Sequence, residues 1–367
     1  MIVPFFNYQA LFQENEERFL DIFRDVGRRG AYIMQSDLVN FEKRLQDYTN
    51  IKHVIGVANA TDAMELLLKA GGVGVGDEVI FCSHTMVATA SAIAFTGATP
   101  VPIDAGEDHL LDPDAIVDAI TPRTKAIMPT QLNGRVANMR EIQRVADDHG
   151  LQIYEDSAQA LGAKFDGKCA GSFGLGGCIS FYPAKTLGCF GDGGAILTND
   201  DNIAASVRLM RDHGRGDDGE VTIWGFNSRL DNLQAAILDA FFDSYDETVM
   251  RRRDLAGLYC EQLNKVTDVK LPPPPTFDTS HFDIYQNFEI EANRRDELKQ
   301  HLSSRGIGTL IQWGGKAVHE FRALGFTQSL PVTEAMMRRS LMLPLNMTIT
   351  DDEVKYVCES ITEFYNA

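Results

Sequence analysis

Between about residue 50 and residue 200 the chain alternates short, nearly all-apolar runs with longer amphipathic ones, and no other feature restricts the fold as much. Runs such as "LQIY" and "CISFY" suit strands covered on both faces, as in a parallel sheet. In order, "TDAMELLLKA" is predicted as a helix, "DEVIFCS" as a strand, "TMVATASAIAFTG" as a helix and "ATPVPID" as a strand. "AIMPTQ", "NMREIQRVADDHG" and "LQIYEDS" continue as strand, helix and strand. This order predicts an α/β fold, a largely parallel sheet with helices on both faces. At 367 residues the chain is long enough for two domains.

The pattern changes after the long helical stretch "LDNLQAAILDAFFDSYDETVMRRRDLAGLYCEQL", which is expected to break or bend. Four prolines, Pro272–Pro275, then form a stiff connector that cannot continue a helix. Beyond them "IYQNFEI" is predicted as a strand, "RRDELKQHLSSRG" as a helix, "IGTLIQW" as a strand and "TDDEVKYVCESITEF" as a helix. The expected division is a large domain over residues 1–249 and a smaller α/β domain over 250–367.

A formal charge of −18 argues against broad binding to nucleic acid or anionic membrane, both of which need a basic surface. A small phosphorylated ligand remains compatible, because a few local donors suffice to hold it. The six cysteines show no C-x-x-C spacing and are expected to be reduced thiols; no metal site is expected. No apolar run reaches the length of a membrane span, and the N-terminus lacks the pattern of a signal peptide, so a cytoplasmic protein is expected.

Two motifs imitate nucleotide sites. "GAKFDGK" fits a phosphate loop, but Cys169 stands where a hydroxyl should hold magnesium, and Asp166-Gly167 is a strong hairpin turn. "GGVGVG" follows a helix and precedes a strand, the reverse of the dinucleotide-binding order, and is expected to be a turn.

Lys185 is harder to dismiss. It sits between an apolar strand and a glycine-crowded loop in "SFYPAKTLGCFGDGG", where a lysine needs a partner or a chemical task. Asp156 ends the strand "LQIYED", at the edge where such sheets keep their ligands. Thr61 opens the helix after "VANA", and Asp62 and Glu65 fit a capping box there. A Schiff-base lysine, a carboxylate for the pyridinium nitrogen and a helix N-terminus for the phosphate are what pyridoxal 5'-phosphate requires. Ser180 offers a further hydroxyl donor to that phosphate.

The segments "VANATDAMELLL", "IYEDSAQALGAKFDGKCAGSFG", "SFYPAKTLGCFGDGGAILTND" and "GFNSRLDNLQAAIL" together resemble the sugar aminotransferases of the DegT–StrS type, within the fold-type-I (aspartate aminotransferase-like) pyridoxal phosphate enzymes. The resemblance spans essentially the whole chain. It implies that Lys185 carries the cofactor, that Asp156 pairs with the ring nitrogen and that Gln159 bonds the ring hydroxyl. Ala60, Thr61 and Ser180 would hold the phosphate. Asn227 would reach it from a partner subunit, which implies a homodimer with shared sites. Ala60 replaces the family's usual glycine, and Met86 stands where an aromatic ring often stacks on the cofactor.

The resemblance further implies glutamate as donor and a nucleotide-linked keto-sugar as acceptor, closest to the enzymes acting at C-3 of a dTDP-3-keto-6-deoxyhexose. Those relatives carry His-Tyr-Pro in the small domain; here Gln312-Trp313 stands instead, with His319 keeping a second histidine. Tyr8, Tyr182, Arg211 and His213 complete the substrate candidates, the "VRLMRDHGRGDDG" segment offering positive charge to a diphosphate. A C-4 aminotransferase of the perosamine type and a non-enzymatic regulator retaining the fold are the alternatives. A sugar dehydratase of the same fold would carry histidine in place of Lys185, and an NAD-dependent oxidoreductase finds no support in the misplaced glycines.

Overall fold

The computed structural model describes residues 1–366. Strands β1 (His53–Val57), β2 (Glu78–Cys82), β3 (Thr99–Ile103), β4 (Thr124–Met128) and β5 (Gln152–Asp156) come first. A hairpin, β6 (Lys164–Phe165) and β7 (Lys168–Cys169), follows, then β8 (Gly176–Ser180) and β9 (Gly194–Thr198). The seven longer strands make one sheet in the order β1-β9-β8-β5-β4-β2-β3. From β8 to β3 all neighbours run parallel; β9 is antiparallel to both β8 and β1.

Side chains alternate across this sheet into two separate cores, the consequence of a period of two residues. Val54, Ile80, Ile127, Ile153 and Ile179 enter one core, packed against helices Ser36–Thr49 and Met139–His149. Ile55, Val79, Phe81, Met128 and Tyr154 enter the other, against helices Ala60–Ala70 and Val87–Phe95. The apolar runs are therefore apolar because neither face meets water. Each such side chain contributes roughly 1.5–3 kcal/mol on burial.

The expected breakage of the long helix occurs at Asp243–Ser244, between helices Asn232–Phe242 and Tyr245–Leu263. Asp243 is gripped there by Arg18 and Arg44. The "FDGK" segment is a hairpin turn, with Asp166 at φ 49° and Gly167 at φ 77°, and "GGVGVG" is a turn as expected. A third core joins Val3 to residues between Leu255 and Ile361 around a small antiparallel sheet of β10 (Val269–Lys270), β12 (Phe288–Ala292) and β13 (Ser340–Leu343). The remaining strand, β11 (His281–Phe282), pairs with β6.

Three local expectations fail. "IGTLIQW" is no strand: Ile307 and Leu310 make only isolated bridges to Val3 and Met342. The backbone then turns at Trp313 (φ 47°) and Gly314 (φ 70°), left-handed conformations that end an extended run. "IYQNFEI" becomes a strand only from Phe288, because Tyr285 at φ 51° interrupts it. The cap of the helix Ala60–Ala70 is Asn59, whose side chain accepts from the Asp62 N–H at 2.8 Å, while Glu65 pairs with Lys69. Asn59 precedes the first helical residue, which is where a capping oxygen can reach the free amides.

No helix among the described residues is long and apolar enough to cross a membrane. One buried side chain fastens the N-terminal segment onto the first core. Asn232 accepts from the Leu38 N–H at 3.0 Å and donates to Ala31 O and Asp37. Asn232→Ala would strand those groups inside the protein and should cost about 1–3 kcal/mol, read as a lower denaturant midpoint at unchanged slope.

Candidate active site

A sheet buried on both faces offers chemistry only at its strand ends, and the site is built there. Strand registry sets the first part of it. Val57 of β1 lies opposite Gly194 of β9, and Gly194 lies opposite Ser180 of β8. The chain leaves Val57 for Asn59 and the helix beginning at Ala60, so the helix start, Gly194 and Ser180 are neighbours by construction. The N–H groups of Ala60 and Thr61 have no acceptor among the described residues. With the helix dipole behind them they form a ready anion site. Gly194 makes room for it: a Cβ there would stand 2.5 Å from Asn59 C and 2.8 Å from Ala60 N.

Asp156 ends β5, beside β8, and is 4% exposed. Thr89 donates to its Oδ2 at 2.7 Å and the Ala158 N–H to its Oδ1 at 3.2 Å, which fixes the carboxylate plane. Thr89 in turn is 2.9 Å from Thr85, and Thr130 donates to Thr85, so a hydroxyl relay backs the aspartate. Cys178 lies next to it, and burial, then the Asp156 charge, push its thiol well above the ordinary range.

Lys185 follows β8 in a turn closed by its own N–H donating to Tyr182 O at 2.8 Å. Burial lowers its pKa below that of an ordinary lysine, against the opposing pull of Asp156 and Cys178. A neutral amine is the form that can attack a carbonyl and accept a proton. Gly188 permits the turn, since a Cβ there would meet Tyr182 O at 2.7 Å and Pro183 O at 2.8 Å.

The turn is held from outside by a residue the sequence reading overlooked. The Gln286 side chain accepts from the Thr186 N–H at 2.7 Å and donates to Ala184 O at 2.8 Å, bracketing Lys185. Buried Arg252 donates to the Gln286 and Tyr285 carbonyls, anchoring the bracket to the helix Tyr245–Leu263. The Oε1 of Gln159, a candidate from the sequence, accepts from the Asn133 N–H at 2.8 Å and from Asn287 at 3.3 Å. Gln159, Ser180 and Lys185 share one narrow cavity. No motif marks Gln286, Asn133 or Thr89, because each lies far along the chain from what it holds.

Met86 immediately precedes the helix Val87–Phe95 and is half exposed. Tyr8 shares a cavity of about 280 Å³ with Lys185, Thr186 and Asn287. Burial, then the neighbouring Tyr182, raises the pKa of its hydroxyl. His213 and Asn227 are exposed in an irregular loop closed by the isolated Asp212–Asn227 bridge, and neither lines the cavities at Lys185.

Two substrate candidates are corrected. Arg211 is buried and spends its guanidinium on Glu42 at 2.7 Å and Gly56 O at 3.0 Å, so it is not free for a diphosphate. His319 is fully buried, with Nδ1 at Ser83 Oγ, 2.7 Å, and Nε2 at Glu334, 3.3 Å. It holds the loop to the end of β2. Gln312 is also buried, donating to Asn133 Oδ1 at 2.9 Å and Glu289 Oε1 at 3.2 Å, one residue removed from Gln159.

Since the atoms a Gly194 methyl would strike are backbone, Gly194→Ala should displace the helix start. Affinity for pyridoxal phosphate is expected to fall about tenfold or more, about 1.4 kcal/mol, in a titration of cofactor-free protein followed by absorbance. Unchanged affinity would place the phosphate elsewhere.

With the geometry in view, comparison with known proteins is informative. The model of the DegT/DnrJ/EryC1/StrS aminotransferase family matches residues 13–362. The chain is 38% identical over 368 residues to the dTDP-3-amino-3,4,6-trideoxy-alpha-D-glucose transaminase of Streptomyces venezuelae, covering 99% of this chain and 96% of that one. It is 36% identical over 370 residues to a pleiotropic regulatory protein of Geobacillus stearothermophilus, covering 100% and 99%. The crystal structure of DesV from S. venezuelae matches with a TM-score of 0.95 at 37% identity, covering 100% of this chain and 99% of that one.

Proposed function

Because this chain belongs to the DegT/DnrJ/EryC1/StrS aminotransferase family, whose members depend on pyridoxal phosphate, we propose that it moves an amino group from L-glutamate to C-3 of a dTDP-linked 3-keto-6-deoxyhexose. The observation that carries this reading is the juxtaposition of Lys185, its pKa lowered by burial, with Asp156 and a helix start whose Ala60 and Thr61 amides are free, in a chain similar throughout to a dTDP-3-amino-sugar transaminase.

The residues present fit the cofactor. Uncapped amides at Ala60 and Thr61, with the Ser180 hydroxyl, suit a phosphate; buried Asp156 suits a protonated ring nitrogen; Gln159 suits the ring hydroxyl. When bound, pyridoxal phosphate supplies an electron sink for the pair released at the carbon bearing the nitrogen. The protein does the rest. Lys185 Nζ takes the proton from that carbon of the donor and, in the second half-reaction, returns one to the sugar carbon. Asp156, fixed by Thr89 and the Ala158 amide, would face the ring nitrogen. The Gln286 bracket keeps Nζ within reach by preventing the 184–186 turn from opening.

Tyr8, which lines the Lys185 cavity, and the exposed Tyr182 near it are assigned to the sugar. Asn227 and His213 are assigned to the active site of a second copy. What supports a homodimer is the exposed apolar surface around that loop, with Trp224 97%, Val221 61% and Ile223 38% exposed, together with Tyr32 and Phe23 at about 60%. Surfaces of this kind mark interfaces. Residues 1–249 and 250–367 are taken as the large and small domains, with Gln286 and Asn287 reaching from the second into the site of the first.

Supplying the purified protein with pyridoxal phosphate, L-glutamate and dTDP-, UDP- and GDP-linked keto-sugars should give a 3-amino product from the dTDP substrate, detected by mass spectrometry and NMR. A 4-amino product from a GDP-linked 4-keto sugar would move the assignment to C-4. No amine from any substrate, with cofactor bound, would favour a regulator. Lys185→Ala should lower turnover by roughly 10²–10⁴-fold from lost proton transfer alone, with the circular dichroism spectrum unchanged.

A further inference from the structure

Behind Asn133, where β2, the loop 105–111 and β12 meet, three ionisable side chains converge on one point. His84 is 1% exposed, and its Nδ1 lies 3.0 Å from His109 O. A carbonyl only accepts, so Nδ1 carries the hydrogen and Nε2 presents its lone pair. That Nε2 is buried and has no hydrogen-bond partner among the described residues. Ahead of it lies the carboxylate of Glu289, itself 3% exposed, with Oε2 3.8 Å away. His109 Nε2 is 2.9 Å from Glu291 Oε1, which leaves Nδ1 turned to the same Glu289 oxygen at 3.5 Å. All three candidate ligand atoms lie within 4.8 Å of one another.

Three lone pairs aimed at one another inside a protein are repulsive unless something positive lies between them. A proton on His109 would satisfy Glu289 from that side but would still leave His84 Nε2 without a partner. A single cation serves all three. Tetrahedral ligands at about 2.0–2.1 Å from an ion stand about 3.3–3.4 Å apart; the two nitrogen–oxygen separations here are 3.5 and 3.8 Å, so a small inward shift of the side chains completes the geometry. We propose that His84, His109 and Glu289 form a site for a divalent transition ion of the zinc class, with its fourth position open to the adjoining cavity. Two imidazoles and one carboxylate suit zinc and disfavour magnesium or calcium, which take oxygen ligands. The carboxylate of Glu291 behind His109 is the outer partner such a ligand normally has, and Lys270 and Arg339 hold Glu291 in turn. Access is provided by a cavity of about 450 Å³ lined by His109, Asn133, Arg135, Lys270 and Glu289.

The ion would tie the end of β2 to β12 of the smaller sheet. Glu289 also accepts from the Asn133 side chain at 2.8 Å, and Asn133 bonds Gln159, so the tie ends against the wall of the Lys185 site. It touches no reacting atom; its role is positioning. The ligands come from positions 84, 109 and 289, so no spacing rule in the sequence could reveal them, and the expectation of no metal site rested on such spacings.

Holoenzyme stripped with a chelator, dialysed against micromolar zinc and then against buffer should retain one equivalent per chain by mass spectrometry of the metal. Its thermal midpoint should rise with zinc. His84→Ala should abolish both effects. His109→Asn should do the same with less risk to folding, because residue 109 has φ 69° and asparagine accepts that left-handed conformation. Glu291→Gln should weaken retention by about 10–100-fold, and His53→Ala, at an exposed His–Asp pair, should not change it. Failure of the wild type to retain zinc, or retention unchanged in His109→Asn, would overturn the proposal. Either result is read without any assay of amino transfer.

Discussion

The burial of the main sheet on both faces is the constraint from which the rest follows. Ile80 and Phe81 point in opposite directions, and both are fully enclosed. With neither face available to a ligand, polar function is confined to the ends of the parallel strands and the turns that leave them. Asp156, Ser180 and the residues after β2 all sit there. The same constraint explains how a carboxylate can be buried at Asp156 without a neighbouring arginine. The strand end provides backbone and hydroxyl donors, from Ala158 and Thr89, that a strand interior could not spare.

A second level of order comes from groups that touch neither cofactor nor substrate. Lys185 lies in a turn, and turns are mobile unless held. Gln286 holds it through both neighbours, and Arg252 holds Gln286. Arg252 is fully desolvated, and its pKa falls to about 10 as a result. Two backbone carbonyls compensate it in place of a carboxylate, and such a group is tolerated where it fixes a geometry. Gln286 and Asn287 come from beyond the proline connector, so the small sheet and the Lys185 turn are coupled through side-chain hydrogen bonds.

Electrostatics around the site follow a similar division. The protein carries a formal charge of −18, yet the candidate anion site is made of backbone amides rather than a basic surface. Arg211 shows why counting basic residues in a loop misleads. Its Nη1 donates to both Glu42 and Gly56 O inside the protein, and its contribution is to the fold.

Much of this was legible in the sequence. Nearly all-apolar runs announced the sheet buried on both faces and Asp166-Gly167 the hairpin, and Lys185 and Asp156 stood out as candidates, because each signal depends on residues close in the chain. What failed depended on backbone geometry or distant partners. "IGTLIQW" has strand composition, but left-handed Trp313 and Gly314 end it. The helix cap moved to Asn59 because capping follows the first helical amide rather than the nearest acidic residue. Sequence alone determined the architecture and the cofactor class, and it supplied Lys185 as the candidate that carries the cofactor. Tertiary structure decided which polar side chains remain free to act: Arg211 and His319 are consumed by buried partners, while Gln286, Asn133 and Glu289 are brought in from afar. The reason is physical. Burial and periodicity act between neighbours along the chain, whereas a hydrogen bond or an ion site selects its partners only once the fold has brought them within about 3 Å.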